Sequence, residues 1–134
     1  MKVFVYGSLK RGYPNHRYLE GNNSEFLGES TLVGHRLYHV SFFPGLVESE
    51  DPREIVHGET YDVSQVTLSV LDQLEGEGYL YKRQLITVLL DNVPVEAYAY
   101  LWLPRIPEDI EKVENNNWTG PPDGAKFPVQ DTFD

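Results

Sequence analysis

The chain of 134 residues contains no cysteine, and its four histidines are scattered. The lack of cysteine excludes disulfide bonds, a thiol nucleophile and thiolate metal sites. His35 and His39 are four residues apart, but they fall in a segment with strand character, where that spacing does not put two ligands on one face. We therefore expect no metal and no cofactor.

Basic residues and long apolar runs are also scarce. The 11 Lys and Arg against 21 Asp and Glu give a formal net charge of −10, which disfavours binding to nucleic acid or to an anionic membrane surface. No run approaches the roughly 18 apolar residues of a membrane span, and no secretory signal is apparent, so we expect a cytoplasmic protein. The expected partner is a small-molecule substrate, for which Lys10 and Arg11 offer a local basic pair. The sequence does not predict an oligomeric state.

Two common catalytic motifs are incomplete. Gly7 and Gly12 have the spacing of the two P-loop glycines, but Tyr13-Pro14 follows where that motif needs Lys and Ser or Thr. Ser8 lacks the Gly-x-Ser-x-Gly turn of a nucleophilic serine. A nucleotide loop is thus excluded, and serine hydrolysis has little support.

The apolar content that is present, 40% of residues with 13% aromatic, is enough for one folded domain. Residues 3–6 predict a buried strand that ends at Gly7 and Ser8. A chain leaving a strand in this way can present successive backbone N–H groups to a carboxylate, a phosphate or an oxyanion. An ordinary strand-to-loop turn is the alternative.

The remaining elements predict an α+β fold in which a small mixed, mostly antiparallel β-barrel carries one main helix over an opening and short flanking helices. In chain order they are a helical turn at 13–19 with Asn15 as N-cap, one bent or two short strands at 26–40, an apolar loop at 42–47, a polar turn at 50–54, a strand at 56–63, a helix capped by Asp62 or Ser64 and ended by Gly76, strands at 79–90 and 93–103 joined by Asp91-Asn92, and a short helix at 107–112. We place the domain at residues 1–103. Residues 104–134 form a C-terminal extension, packed through Trp118, Phe127 and Phe133 or partly disordered.

Glu75 is the candidate catalytic residue. It falls on the border of an apolar helical stripe formed by Val66, Val70, Leu71 and Leu74. Partial burial and the negative end of the helix dipole both raise the pKa of a carboxyl group, as a general base near pH 7 requires. The alternative is a solvated glutamate at a helix end. Glu77 is a more exposed rival, and Asp72 should face the polar side.

Several of these stretches, in this order, resemble the gamma-glutamylcyclotransferase-like family over residues 2–102. They are Val5-Tyr6-Gly7-Ser8-Leu9-Lys10-Arg11-Gly12, Pro14-Asn15-His16, Phe43-Pro44-Gly45, Val56-His57-Gly58-Glu59-Thr60-Tyr61-Asp62-Val63, Leu71-Asp72-Gln73-Leu74-Glu75-Gly76 and Tyr81-Lys82-Arg83. The run from Lys10 to Arg17 is most similar to the gamma-glutamylamine cyclotransferase branch.

The resemblance implies a mixed β-barrel enzyme that converts γ-glutamyl-amines to 5-oxoproline and a free amine without a cofactor. It implies Glu75 as the catalytic acid and base. Tyr6, Gly7, Ser8 and Leu9 would hold the glutamyl group, with Ser8 where the family more often has Thr, and Pro44, Gly45 and Tyr81 would line the pocket. Two alternatives stay open: a module of this fold that binds a small anion without turning it over, and an interaction protein that recruits a partner through its acidic surface and the Trp118-containing tail.

Overall fold

Seven strands and one α-helix make up the computed structural model, which describes residues 1–21 and 23–121. The elements are β1 (Lys2–Val5), β2 (Ser24–Val33), β3 (His35–His39), β4 (Pro44–Glu48), β5 (Ile55–Val63), α1 (Gln65–Leu74), β6 (Tyr81–Leu90) and β7 (Val93–Trp102), with 3₁₀ helices at Pro14–Leu19 and Glu114–Asn116. Five strands close into a barrel in the order β1-β5-β2-β6-β7, while β3 and β4 form a separate two-stranded sheet.

The barrel is mixed because β1 has two different neighbours. It pairs antiparallel with β5 and parallel with β7, where Val3 lies opposite Tyr98. The contact between β1 and β5 requires a glycine, since a Cβ at Gly58 would lie 2.4 Å from the Val5 carbonyl oxygen. The predicted α+β class and mostly antiparallel mixed barrel are confirmed.

The β6–β7 hairpin turns as predicted. Asp91 and Asn92 have φ angles of +52° and +63°, which is the backbone of a two-residue type I′ turn. The turn sets ten residue pairs in register, from Tyr81 opposite Trp102 to Leu90 opposite Val93.

Helix α1 has the predicted ends. The Ser64 hydroxyl accepts a hydrogen bond from the Thr67 N–H and caps the N-terminus. Glu75 is the C-cap residue, and Gly76 follows with φ of +62°, the left-handed conformation that glycine adopts at low cost. The position of Glu75 is therefore fixed by the C-terminal end of the helix.

The predicted apolar stripe of this helix is partly wrong. Leu68 and Leu71 are fully buried, whereas Val66 is 71% exposed and Val70 also faces solvent. The face of the helix that packs on the barrel is therefore narrower than the face covered by its apolar residues.

Three local predictions are also wrong. The first 3₁₀ helix is preceded by Tyr13 at the N-cap position, without a side-chain cap, and Asn15 lies inside it. The predicted loop at 42–47 contains the start of strand β4, because Pro44 pairs with His39 and Gly45 with Tyr38. The helix predicted at 107–112 is a turn, in which the Ile110 N–H donates to the Pro107 carbonyl.

Part of the segment 104–121 packs onto the barrel. Val113 and Trp118 are buried in the same core as the strands. The Val113 N–H donates to the Leu37 carbonyl, and the Leu37 N–H donates to Asn116 Oδ1. Phe127 and Phe133, also expected to pack, lie outside the described residues.

Lys10, in the loop after β1, binds the segment that contains Trp118. Its Nζ donates to the Trp118 carbonyl at 2.7 Å and to Asn117 Oδ1 at 3.3 Å. Burial lowers the pKa of Lys10. Because the Lys10 ammonium group is buried and already hydrogen-bonded, Lys10 and Arg11 do not form the basic pair that was predicted to serve a ligand.

None of the helices in the described ranges combines the length and the hydropathy of a membrane span.

Candidate functional site

A narrow recess at one end of the barrel brings most of the predicted site residues together. The lining residues are Phe4, Val5, Tyr6, Gly7, Ser8, Leu9, Phe43, Pro44, Glu75, Tyr81 and Tyr100. Of the predicted residues only Gly45 is outside this set; a Cβ there would meet Val40 and Trp102 at 2.9–3.0 Å. The loop after β1, the start of β4, the end of α1 and the start of β6 thus converge on one place.

Close backbone contacts fix the shape of the recess. A Cβ at Gly7 would lie 2.8 Å from Pro44 Cγ, so the first loop can approach β4 only with glycine at this position. The Tyr81 hydroxyl donates to the Pro44 carbonyl at 2.6 Å, and the Tyr6 hydroxyl donates to the Tyr100 carbonyl at 2.5 Å. Both phenols are held by backbone oxygens across the barrel end.

The loop at residues 7–9 has its carbonyl groups paired. Gly7 O accepts from the Lys10 N–H and Ser8 O from the Asn15 N–H, both at 3.0 Å, and Leu9 O lies 3.0 Å from His16 Nδ1. By contrast, the N–H groups of Gly7, Ser8 and Leu9 donate no hydrogen bond to any residue in 1–21 or 23–121. These three backbone N–H groups are therefore unpaired within the part of the chain that the structure describes, and N–H groups of this kind are able to bind an anion.

Asn15 is a site residue that sequence reasoning missed. Its Nδ2 donates to Ser8 Oγ at 2.9 Å while its own N–H binds the Ser8 carbonyl. The Ser8 side chain is thereby oriented from the first 3₁₀ helix. The sequence pattern indicated Asn15 as the N-cap of the helical turn and did not connect it with Ser8.

The Glu75 carboxyl group is partly buried, and burial raises its pKa from 4.5 to about 7. No hydrogen-bond donor of the described residues reaches this carboxyl group. Three neighbouring phenols, Tyr6, Tyr81 and Tyr100, have raised pKa values, mainly through burial and further through the charge of Glu75. At neutral pH the site holds protonated phenols around one carboxyl group whose pKa is raised towards neutrality.

The neighbouring carboxylates have other partners. Asp72 Oδ1 accepts from the Tyr100 hydroxyl at 2.7 Å and from Arg83 Nε at 3.1 Å, so the prediction that Asp72 faces the polar side is wrong. Glu77 is exposed, as predicted, and accepts a hydrogen bond from the Arg83 N–H. Asp72 anchors the helix to the barrel, which leaves Glu75 as the carboxyl group in the recess.

A wider outer cavity of about 470 Å³ adjoins the recess. Ser8, Phe43, Glu75 and Tyr81 line both. The further lining residues of the outer cavity are Tyr13, Pro14, Asn15, Arg17, Ser41, Phe42, Leu74, Leu80, Trp118, Gly120 and Pro121. Its size is that of a small-molecule site, and most of its wall was not predicted.

Within the described ranges, no group of three His, Asp or Glu side chains is arranged to hold a metal ion.

Comparison with known proteins places this geometry in a family. The family model for gamma-glutamyl cyclotransferase, AIG2-like, matches residues 3–120. The chain belongs to this family. The match includes the first loop, Glu75 and the buried Trp118, so the family assignment covers both the recess and much of the outer cavity.

Individual family members agree with this assignment. The gamma-glutamylcyclotransferase family protein ytfP of Citrobacter rodentium is 34% identical over 118 residues, which cover 88% of this chain and 95% of that protein. The solution structure of ytfP from Escherichia coli is 32% identical, with a TM-score of 0.64 over 88% of this chain and 96% of its own. The crystal structure of an AIG2-like protein from Mus musculus, at 24% identity, has the same fold, with a TM-score of 0.79 over 98% and 97% of the two chains.

Proposed function

We propose that this family member is a cyclotransferase that releases 5-oxoproline and a free amine from a γ-glutamyl-amine. The α-amino nitrogen of the glutamyl group attacks its own γ-carbonyl carbon. A C–N bond forms within a five-membered ring and the amide C–N bond to the amine breaks. The two protons that the α-ammonium nitrogen loses on becoming the ring N–H leave with the amine, which is released as an ammonium ion. Because both reacting groups belong to one substrate, correct orientation alone can supply an effective concentration of roughly 10⁵ M or more.

The environment of Glu75 is the observation that carries this proposal. A carboxyl group with a pKa of about 7 can accept a proton and return it at neutral pH. We assign it to remove a proton from the substrate's α-ammonium group and to deliver it to the leaving amine. The raised pKa comes from the recess itself, since burial is its cause.

The loop after β1 supplies the second requirement, which is a set of donors for negative charge. The unpaired N–H groups of Gly7, Ser8 and Leu9 are suited to hold the substrate α-carboxylate or the oxyanion that develops on the γ-carbonyl. One such donor is worth about 3 kcal/mol in the transition state. Pro44, with Tyr6 and Tyr81, forms the wall that confines the glutamyl group.

The decisive experiment measures 5-oxoproline release from a panel of γ-glutamyl-amines, γ-glutamyl-amino acids and glutathione. We expect Glu75→Gln to lower kcat by about 10²-fold or more, because the amide has nearly the same shape but cannot transfer the proton. Glu77→Gln is the matched control: it removes an exposed carboxylate two residues away and should keep at least half of the activity.

Full activity of folded Glu75→Gln would contradict the assigned role. Saturable binding of 5-oxoproline or of a γ-glutamyl compound, without ring closure on any panel member, would instead favour a binding module built on the same recess.

A further inference from the structure

The outer cavity lies where the second product would be formed. It shares Glu75, Ser8 and Tyr81 with the recess, and the amide bond that breaks must lie beside Glu75 for the proton to reach the leaving nitrogen. The recess has a free volume of only about 30 Å³, against about 470 Å³ for the outer cavity. On the proposed function the reacting end of the glutamyl group reaches the recess, and the amine portion extends into the wider cavity.

The wall of this cavity is mainly apolar and aromatic. It presents the side chains of Tyr13, Phe42, Phe43, Leu74, Leu80 and Trp118. An apolar group that moves there from water is stabilised by about 0.8 kcal/mol for each buried methylene. A small polar amine would contact little of this apolar surface and would gain little free energy from it.

Apart from Glu75, the charge at the wall of the outer cavity is positive. Arg17 is the other charged residue among the described lining residues. Its Nη1 donates to the Pro14 carbonyl at 2.8 Å and its Nη2 to the Tyr18 hydroxyl at 3.3 Å, and no carboxylate within the described ranges pairs with it. Arg17 is exposed to solvent, so its repulsion of a substrate ammonium group is screened. The larger cost for such a group is the loss of its hydration on entering a mainly apolar space.

Trp118 is a wall residue of the outer cavity that is fixed by the packing of the fold. It is only 2% exposed, its ring lies 5.1 Å from the ring of Tyr13, and its carbonyl is held by Lys10. The segment after β7 therefore forms a fixed side of the cavity.

We infer, on the basis of the proposed function, that the outer cavity selects γ-glutamyl-amines whose amine portion is large, apolar and free of positive charge. The apolar wall, with Phe42 and Trp118, binds the apolar body and disfavours cationic amines, and the exposed Arg17 adds a weaker repulsion.

A pair of substrates of equal shape tests the charge requirement. γ-Glutamyl-hexylamide and the γ-glutamyl monoamide of 1,5-diaminopentane differ only in a terminal methyl against a terminal ammonium group, and γ-glutamyl-methylamide is the small reference. We expect kcat/KM for the hexylamide to exceed that of each of the other two by at least about tenfold. Arg17→Gln should lower the ratio of kcat/KM for the hexylamide to that for the diaminopentane amide by about twofold at most, because the exposed charge of Arg17 is screened by solvent.

A variant of the wall tests the apolar subsite. Phe42 is half exposed, so Phe42→Ala removes a lining ring without opening the core. We expect it to lower the ratio of kcat/KM for hexylamide to methylamide by about fivefold or more. Tyr79→Ala is the matched control, since Tyr79 is an 86% exposed aromatic residue that does not line the cavity.

The outcomes separate this inference from the proposed function. Turnover of the diaminopentane amide or the methylamide at least equal to that of the hexylamide would overturn the inference alone, as would an unchanged ratio in Phe42→Ala. Absence of 5-oxoproline from every amide would overturn the proposed function, and the inference with it.

Discussion

The Glu75 carboxyl group sits where its own negative charge is disfavoured. This expectation could be drawn from sequence because a glutamate in the last turn of an amphipathic helix, stopped by Gly76, has a local signal. The burial that raises the pKa is not local, since it comes from the recess where the first loop, β4, α1 and β6 meet. The partners of Tyr100 could not be predicted in this way. Its hydroxyl, on strand β7, donates to Asp72 on helix α1, 28 residues earlier in the chain. The hydrophobic periodicity of neither element indicates that these two side chains are in contact.

The same raised pKa predicts a pH-dependent cost to stability. Below pH 4.5 the carboxyl is protonated in both the folded and the unfolded state. Between 4.5 and about 7 the unfolded chain ionises first, so the free energy of unfolding falls as pH rises, and above 7 the loss is constant. At about 1.4 kcal/mol for each pKa unit, the loss is about 3 kcal/mol.

Glu75→Gln should therefore become more stable than the wild type as pH rises, with the difference growing by about 3 kcal/mol between pH 4 and pH 8. Urea unfolding at a series of pH values measures it. Glu77→Gln, which changes an exposed carboxylate, should follow the wild-type curve. Parallel curves for Glu75→Gln and the wild type would show that Glu75 ionises as easily in the folded chain as in the unfolded one.

At the scale of single elements, α1 shows what hydrophobic periodicity does and does not decide. The helix, its glycine stop and a cap at Asp62 or Ser64 were predicted because each has a local chemical signal, and the structure shows Ser64 as the cap. The buried face was misjudged because Val66 and Val70 are apolar but lie away from the barrel, while Leu68 and Leu71 pack. Which side of a helix faces the core depends on the neighbouring element, in this case the barrel end, and not on the helix alone.

The orientation of α1 depends on Asp72, which binds Tyr100 and Arg83. We expect Asp72→Ala to lower the free energy of unfolding by about 1–3 kcal/mol, because the nearly buried Tyr100 hydroxyl loses its acceptor. Asp72→Asn keeps a side-chain oxygen for that hydroxyl and should cost less, since the partly exposed pair with Arg83 contributes about 1 kcal/mol at most. Chemical denaturation checks both, with Gln73→Ala, an exposed neighbour on the helix, as control. Equal losses for Ala and Asn would mean that the charge matters more than the hydrogen bond.

At the scale of the whole molecule, the barrel was predictable and the position of the C-terminal segment was not. Alternating strands, the Asp91-Asn92 turn and a short first strand favour a closed sheet. The link from Lys10 to Trp118, by contrast, joins residues 108 positions apart. A lysine next to an arginine looks like a basic patch in sequence, and only the fold shows that one of the two is buried against the far end of the chain.

Because of this long-range contact, we expect residues 104–121 to be needed for the stability of the fold. Deleting 104–134 removes the buried Val113 and Trp118 and leaves the Lys10 ammonium without its acceptors. Loss of a buried tryptophan side chain alone costs about 3–5 kcal/mol, against a total stability of about 5–15 kcal/mol. We expect the 1–103 variant to show no cooperative thermal transition by circular dichroism. A 1–121 variant keeps all of these contacts and should unfold in a single transition. A 1–103 variant that melts like the whole chain would instead favour the extension as a separate interaction segment, and the outer cavity would then need a wall from elsewhere.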